Sequence, residues 1–297
     1  MVQDALKIIS TEYPNTYLTP TDKITRLVFT GVFDGKESQA VAMERRGSKK
    51  TISTFVSTQF NAIEANTCLN GDEKLSAYDR EVHDALATLY FEGRNEYITP
   101  QMIYKVLTGN PNAFLNLKQS KAIHKSLIKC MFTRIKIDAN EEAKAYGYES
   151  IEYDGSIINA EIVTAKLNGT TVQCLHLLSP PILYYYANKK NQLGRLDVEL
   201  LNTPVVKTEE MIILQGFLYR RIISMKGPSK LNKVILYNKI YDYININSSS
   251  DGALRKKKSK VRRQVRLILD YWIDKGFITN YCENKKGQSF YSITIIP

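Results

Sequence analysis

Arg255, Lys256, Lys257, Lys258, Lys260, Arg262, Arg263 and Arg266 are eight basic side chains in one stretch, Gly252 to Ile268, that holds no acidic residue. A guanidinium presents a planar fork of donors that matches a phosphate or the O6 and N7 edge of guanine, and an ammonium is a compact charge for phosphate. The chemistry on offer is recognition of a polyanion. A second set repeats it at lower density. Lys118, Lys121, Lys125 and Lys129 recur along one stretch, with no acidic residue between Leu117 and Ile137. Gln119 and His124 stand among them as candidate base readers. Lys285 and Lys286, beside Gly287, and Lys166, beside Asn168-Gly169, are further candidates for phosphate contact.

Helices must hold both sets. Val261, Val265, Ile268, Leu269, Trp272 and Ile273 have the spacing of one buried helical face. Lys258, Arg262 and Arg266 recur every four residues, about a third to a half turn away. Such a helix wants an apolar core behind it and a polyanion in front. The lysine row likewise lies opposite Ile123, Leu127, Ile128 and Met131, the apolar set of a helix over Leu117 to Met131. Two plainer readings stand beside this one: charge runs are commonly solvated faces, and a basic amphipathic helix can lie on a membrane or be a calmodulin-type target.

Catalytic patterns are missing. Gly35-Lys36 has the wrong spacing for a phosphate-binding loop and is followed by Glu37, so no ATPase is indicated. His83, His124 and His176 are far apart, without the His-x-His of a relaxase or rolling-circle nickase, and no metal-spaced acidic cluster occurs. Cys68, Cys130, Cys174 and Cys282 form no C-x-x-C pair, which argues against a disulfide scaffold or a zinc finger and fits reduced thiols. Tyr184, Tyr185 and Tyr186 read as packing residues in preference to a strand-cleaving nucleophile. The expectation is a protein without catalysis, cofactor or metal.

Composition agrees with a nucleic-acid partner. The chain is 43% hydrophobic and 24% charged, as a soluble globular protein is. A net charge of +11 implies an acidic partner. No apolar run is long enough to span a bilayer and the first residues lack a signal-peptide architecture, so no membrane partner and a cytoplasmic location are expected.

In chain order, Thr19-Pro20-Thr21-Asp22 opens a short helix to Phe29, Gly31 to Ser38 reads as a turn, Met43 to Lys50 as a basic loop, and Thr51 to Ile63 as a strand. Leu75 to Gly93 is a helix capped by Ser76 with Asp79 in the box position, Val82, Leu86, Leu89 and Tyr90 forming its stripe and His83 on its surface. A shorter helix follows Thr99-Pro100 and stops at Gly109. After the lysine-faced helix come strands at Thr133 to Ile137, Ile157 to Leu167 and Thr170 to Leu178, the last two joined by Asn168-Gly169. Asp138 to Gly155 is unassigned apart from a helical turn at Glu141 to Ala145. Ile182 to Lys190 reads as a helix and Leu196 to Leu200 as a strand. Thr208 caps a helix to Met225, Val234 to Ile246 is a second, the basic helix a third, and strands follow at Phe277 to Cys282 and Phe290 to Ile296.

The two halves share an order: helix, short helix, cationic amphipathic helix, hairpin. Ile98, Ile103 and Tyr104 correspond to Ile235, Ile240 and Tyr241; Leu127-Ile128 and Phe132 correspond to Trp272-Ile273 and Phe277. The fold expected is α+β, two tandem winged helix-turn-helix domains with an N-terminal extension. Its parts are the extension (1–50), a first domain (51–179), a connector (180–205) and a second domain (206–297). The third helix of each would enter a major groove while the hairpin touches backbone. Winged helices also serve as protein-binding modules, but a solvated helix normally mixes charge signs.

Leu75 to Gly109, LSAYDREVHDALATLYFEG followed by ITPQMIYKVLTG, resembles the first winged helix of replication initiator proteins of bacterial plasmids and integrative mobile elements. KVRRQVRLILDYWIDKGFI is similar to their second, and the resemblance covers about residues 50 to 297. It implies binding of double-stranded DNA at origin repeats, duplex opening, recruitment of host replication proteins, and a homodimer that represses its own promoter. A repressor with no replication role and a tyrosine-dependent nicking initiator are the alternatives.

Overall fold

The computed structural model describes residues 13–30, 38–46, 50–60, 74–140, 143, 149–150, 152–167, 170–226, 233–246 and 250–297. In chain order its elements are β1 (Thr16–Pro20), α1 (Lys23–Phe29), β2 (Ser38–Arg46), β3 (Lys50–Phe60), α2 (Ala77–Phe91), β4 (Tyr97–Ile98), α3 (Pro100–Thr108), α4 (Leu117–Phe132), β5 (Thr133–Asp138), β6 (Glu152–Ser156), β7 (Ala160–Leu167), β8 (Thr170–Leu177), α5 (Ile182–Lys189) and β9 (Leu193–Asp197). A 3-10 turn (Val198–Leu201) leads to α6 (Glu209–Ile223), β10 (Val234–Leu236), α7 (Tyr237–Tyr243), α8 (Asp251–Asp274), β11 (Asn280–Lys286) and β12 (Ser289–Ile296). The architecture is α+β, with small sheets, antiparallel in the three of three or four strands. Chain contacts divide it into two units, Met1–Val106 with Pro111–Arg195, and Leu107–Asn110 with Leu196–Pro297.

In the first unit, α2 begins where the sequence expects. Asp79 Oδ2 accepts from Ser76 N at 2.7 Å and Ser76 Oγ accepts from Asp79 N at 3.3 Å, closing the capping box. Thr99 Oγ1 accepts from Met102 N at 3.3 Å at the start of α3, and Gly109 follows it at φ +65°, a left-handed position that glycine adopts freely. Val82 and Leu86 of α2, Ile103 and Val106 of α3, and Ile123 and Leu127 of α4 are fully buried. Strand β4 pairs with β8, Ile98 opposite Leu175, and β8 with β7, giving the order β4-β8-β7. A second sheet, β2-β3-β5-β6, takes β2 and β3 from before α2 and β5 and β6 from between α4 and that hairpin. Residues 43–46 are thus strand where the sequence reads as loop, and β6 fills part of the unassigned stretch. The turn read at 31–38, apart from Ser38 in β2, that at 168–169, and most of the helical turn at 141–145 lie outside the described residues.

The largest departure is α2 itself. Its sequence reads as half-buried, yet Tyr78 to Leu89 are all buried. The face opposite the stripe is covered by β1 and α1. Thr19 Oγ1 donates to Asp84 Oδ2 at 2.7 Å, Arg80 Nη2 to Pro20 O at 2.6 Å, and Leu18 N to Thr88 Oγ1 at 2.9 Å. Asp22 caps α1 through Thr25 N at 2.7 Å, and burial holds its carboxyl above the usual range. His83 is therefore not on the surface. It is fully buried, tilted against Phe29 at 5.4 Å, with Nδ1 3.1 Å from Asp84. Polar side chains on α2 pointed the sequence reading toward water, when their partners lay in the N-terminal segment. In that segment β1 also pairs with β9, which the sequence assigns to a connector.

The second unit repeats the order. Thr208 Oγ1 caps α6 through Met211 N at 3.3 Å, and Ser250 Oγ caps α8 through Ala253 N at 3.4 Å. Strand β10 pairs with β12 and β12 with β11, Ile235 lying opposite Ile293. The segment from Val234 is thus a strand before it is a helix, and Ile98 and Ile235, matched by sequence, occupy equivalent strands. Gly287, at φ +62°, makes the hairpin turn. Trp272 is fully buried, with Nε1 donating to Leu200 O at 2.9 Å and Phe277 edge-on at 5.4 Å. Among the described residues no helix is long and apolar enough to cross a membrane, and no group of three or more His, Cys, Asp or Glu is placed to hold a metal ion.

Candidate nucleic-acid interface

Helix α8 is buried on Val261, Val265, Ile268, Leu269 and Trp272, the face the spacing predicts. Its remaining sides carry the cations. Arg255, Lys256, Lys257, Lys260 and Arg263 are exposed, while Lys258, Arg262 and Arg266 are half-buried along the seam with neighbouring elements. Lys258 Nζ lies 5.2 Å from the centre of the Tyr241 ring. Arg262 and Arg266 approach the Phe290 ring to 4.6 and 5.2 Å, and Lys285 approaches the same ring to 4.9 Å. Three cations from a helix and a hairpin thus share one aromatic ring, whose quadrupole favours positive charge over its face. Lys285 and Phe290 are cross-strand partners in the β11–β12 ladder, so the register sets this meeting. Lys286 follows, exposed at the strand end.

One of these cations is already engaged. Arg266 donates from Nε at 2.7 Å and Nη2 at 2.6 Å to Oε2 of Glu283, and Tyr237 Oη donates to Oε1 of the same carboxylate. The bond to Glu283 raises the Arg266 pKa, and burial with the Glu283 bond raises that of Tyr237. Arg266, a candidate base reader by residue type, has its guanidinium joining α8 to β11. The sequence reading missed Phe290 and Glu283. One signal was available: Glu283 is the single acidic residue between Asn280 and Ser289.

In the first unit, Lys118, Lys121 and Lys125 are exposed on α4 and His124 is half-buried. Gln119 is occupied in part: its Oε1 accepts from Asn116 N at 3.1 Å and its Nε2 donates to Tyr104 Oη at 2.6 Å. Lys129 departs from the row. It is 7% exposed, its Nζ donates to Asp79 and to Lys74 O, and Ser126 Oγ adds a bond to Asp79 at 2.5 Å. The step of four residues from Lys125 carries Lys129 round toward α2, where the buried capping carboxylate needs a counter-charge. Lys166 lies in β7, but its side chain is outside the described residues.

The tyrosines of α5 pack. Tyr184 stacks on Phe91 at 3.7 Å and Tyr186 meets Tyr153 edge-on at 5.5 Å, both buried. Tyr185 is 41% exposed, with Lys189 Nζ 5.3 Å from its ring centre.

No family model matches the chain, and no curated protein matches it in sequence. Among solved structures, the crystal structure of selenomethionine derivatives of domains 2 and 3 of RctB is similar with a TM-score of 0.50 and 12% identity, over 93% of this chain and 96% of that one. A second crystal structure of RctB domains 2–3 gives a TM-score of 0.48 and 11% identity, over 92% and 96%. At such identity the likeness is one of fold.

Proposed function

We propose that each unit is a winged helix-turn-helix, and that the chain is a sequence-specific double-stranded DNA-binding protein that initiates replication of a plasmid or mobile element. The observation that carries this is α8: an acid-free cationic surface from Arg255 to Arg266 on a helix whose other face is buried, flanked by Lys285 and Lys286 on a hairpin. The order helix–strand–helix–helix–hairpin in both units, with the short strand completing a three-stranded sheet, supports the winged reading. Arg255, Arg262 and Arg263 read base edges in the major groove; Lys256, Lys257, Lys258, Lys260, Lys285 and Lys286 hold phosphates. Lys118, Lys121 and Lys125 of α4 make a second footprint. The protein acts in the cytoplasm without catalysis or cofactor, as a homodimer or monomer, and recruits host replication proteins.

Footprinting of the full-length protein on DNA flanking its gene tests the reading. Repeated protected sites, in a segment that sustains a plasmid lacking its own origin when the protein is supplied, are the expected result. A single promoter site without origin activity would make it a repressor. A covalent protein–DNA adduct on supercoiled DNA with a divalent metal would make it a nicking enzyme.

A further inference from the structure

Phe114 is 85% exposed and Leu117 72% exposed, and both are held in place. The side-chain amide of Gln101 grips the backbone on either side of Phe114: Nε2 donates to Ala113 O at 2.6 Å, and Oε1 accepts from Leu115 N at 3.2 Å. Asn116 Oδ1 then accepts from Gln119 N at 2.9 Å and fixes the first turn of α4, which Leu117 begins. Scattered exposed apolar residues are ordinary. Two of them three residues apart, one on a loop braced from α3 and one opening α4, form a presented apolar edge.

Its surroundings select the occupant. Lys118 and Lys121 are exposed on the adjoining turn, and no carboxylate lies between Leu117 and Ile137. A second copy of a chain with net charge +11 would bring like charges together there. A duplex supplies the complementary charge, and in its major groove the one apolar group on a base edge is the C5-methyl of thymine. In a helix-turn-helix the residues opening the third helix are those that reach base edges.

We infer that Phe114 and Leu117 are a thymine-reading element, packing on C5-methyl groups while Lys118 and Lys121 hold the flanking phosphates. This rests on the double-stranded DNA reading above and adds a base preference to it.

The experiment enriches a duplex from random 30-mers with the full-length protein, then synthesises that duplex with thymine or with deoxyuridine throughout. The two differ only in the methyl groups. The wild type is expected to bind the uracil duplex about fourfold more weakly for each methyl contacted, with an unchanged salt dependence. F114S/L117S, with unaltered thermal unfolding, is expected to bind the two duplexes equally. Equal wild-type affinity for both duplexes, or the same thymine preference in F114S/L117S, would overturn the inference while leaving DNA binding intact. A shift of F114S/L117S from dimer to monomer in sedimentation, with thymine preference kept, would make the edge a subunit contact and also overturn it. Failure to enrich any duplex would instead sink the DNA reading.

Discussion

Arg266 and Glu283 are joined through two guanidinium nitrogens on one carboxylate oxygen, at 2.7 and 2.6 Å, linking the cationic helix to the hairpin beside it. The Glu283 side chain is only 13% exposed, so removing its partner leaves a poorly solvated charge with Tyr237 alone. Arg266→Ala should lower the free energy of unfolding in urea by about 1–3 kcal/mol. Arg266→Ala combined with Glu283→Gln should recover part of that loss. Arg262→Ala, which breaks no ion pair among those found for Arg266, should change stability by less than about 1 kcal/mol and reduce DNA affinity. Equal stability losses for the two arginine variants would contradict the division of roles.

Lys121 and Lys129 stand eight residues apart on α4 with opposite duties. Lys129→Ala leaves Asp79, 1% exposed, without its ammonium, and should destabilise the first unit by about 3–5 kcal/mol. Lys121→Ala should leave the melting temperature unchanged and weaken binding to every duplex sequence alike. Calorimetry and fluorescence anisotropy on both variants decide the matter.

Lys256, Lys260 and Arg263 are exposed on α8. Each of Lys256→Ala and Lys260→Ala should shallow the plot of log K against log salt by about one, on cognate and unrelated DNA. Arg263→Ala should cost about 1–3 kcal/mol on the cognate site and less elsewhere. A salt slope untouched by the lysine changes would remove α8 from the interface.

Burial pulls the Lys207 ammonium down to about 7, although its Nζ donates to Leu201 O, Thr203 Oγ1 and Gln215 Oε1. In the unfolded chain it keeps its proton to about the ordinary lysine value of 10.5. Between those values the unfolded state binds the extra proton, so raising the pH favours folding. The unfolding free energy of the wild type should therefore climb from about pH 7 to about pH 9, below the range in which tyrosines ionise. Lys207→Met should flatten that climb. Parallel wild-type and variant curves would show that Lys207 titrates alike in both states.

Legibility from the sequence followed the kind of signal. Capped, periodic helices were readable because the code is local: Ser76 and Asp79, Thr99, Thr208 and the seam from Val261 to Trp272 all stand as expected. The repeat also survived, down to Ile98 and Ile235. Strands β4 and β10 were hidden because two or three residues carry no period, and exist only through partners far along the chain. His83 and Lys129 were misplaced for a related reason. A polar side chain on a helix looks solvent-facing until the residue that satisfies it is known, and Asp84 with Phe29, or Asp79, supplies that answer only in three dimensions. Phe114, in a loop, and Leu117, at a helix start, carry no sequence signal of their own, since an apolar residue reads as filler unless its exposure is known.

None of the first ten residues of α8, 251 to 260, is buried, a length of about 15 Å at the helical rise. Half-buried only at Ala253, Leu254 and Lys258, these turns carry the mutual repulsion of Arg255, Lys256, Lys257, Lys258 and Lys260 with little packing beneath them. Dissolved electrolyte quiets that repulsion, so moderate salt should firm this prong even as it loosens the grip on a duplex, and the two trends must cross at some ionic strength.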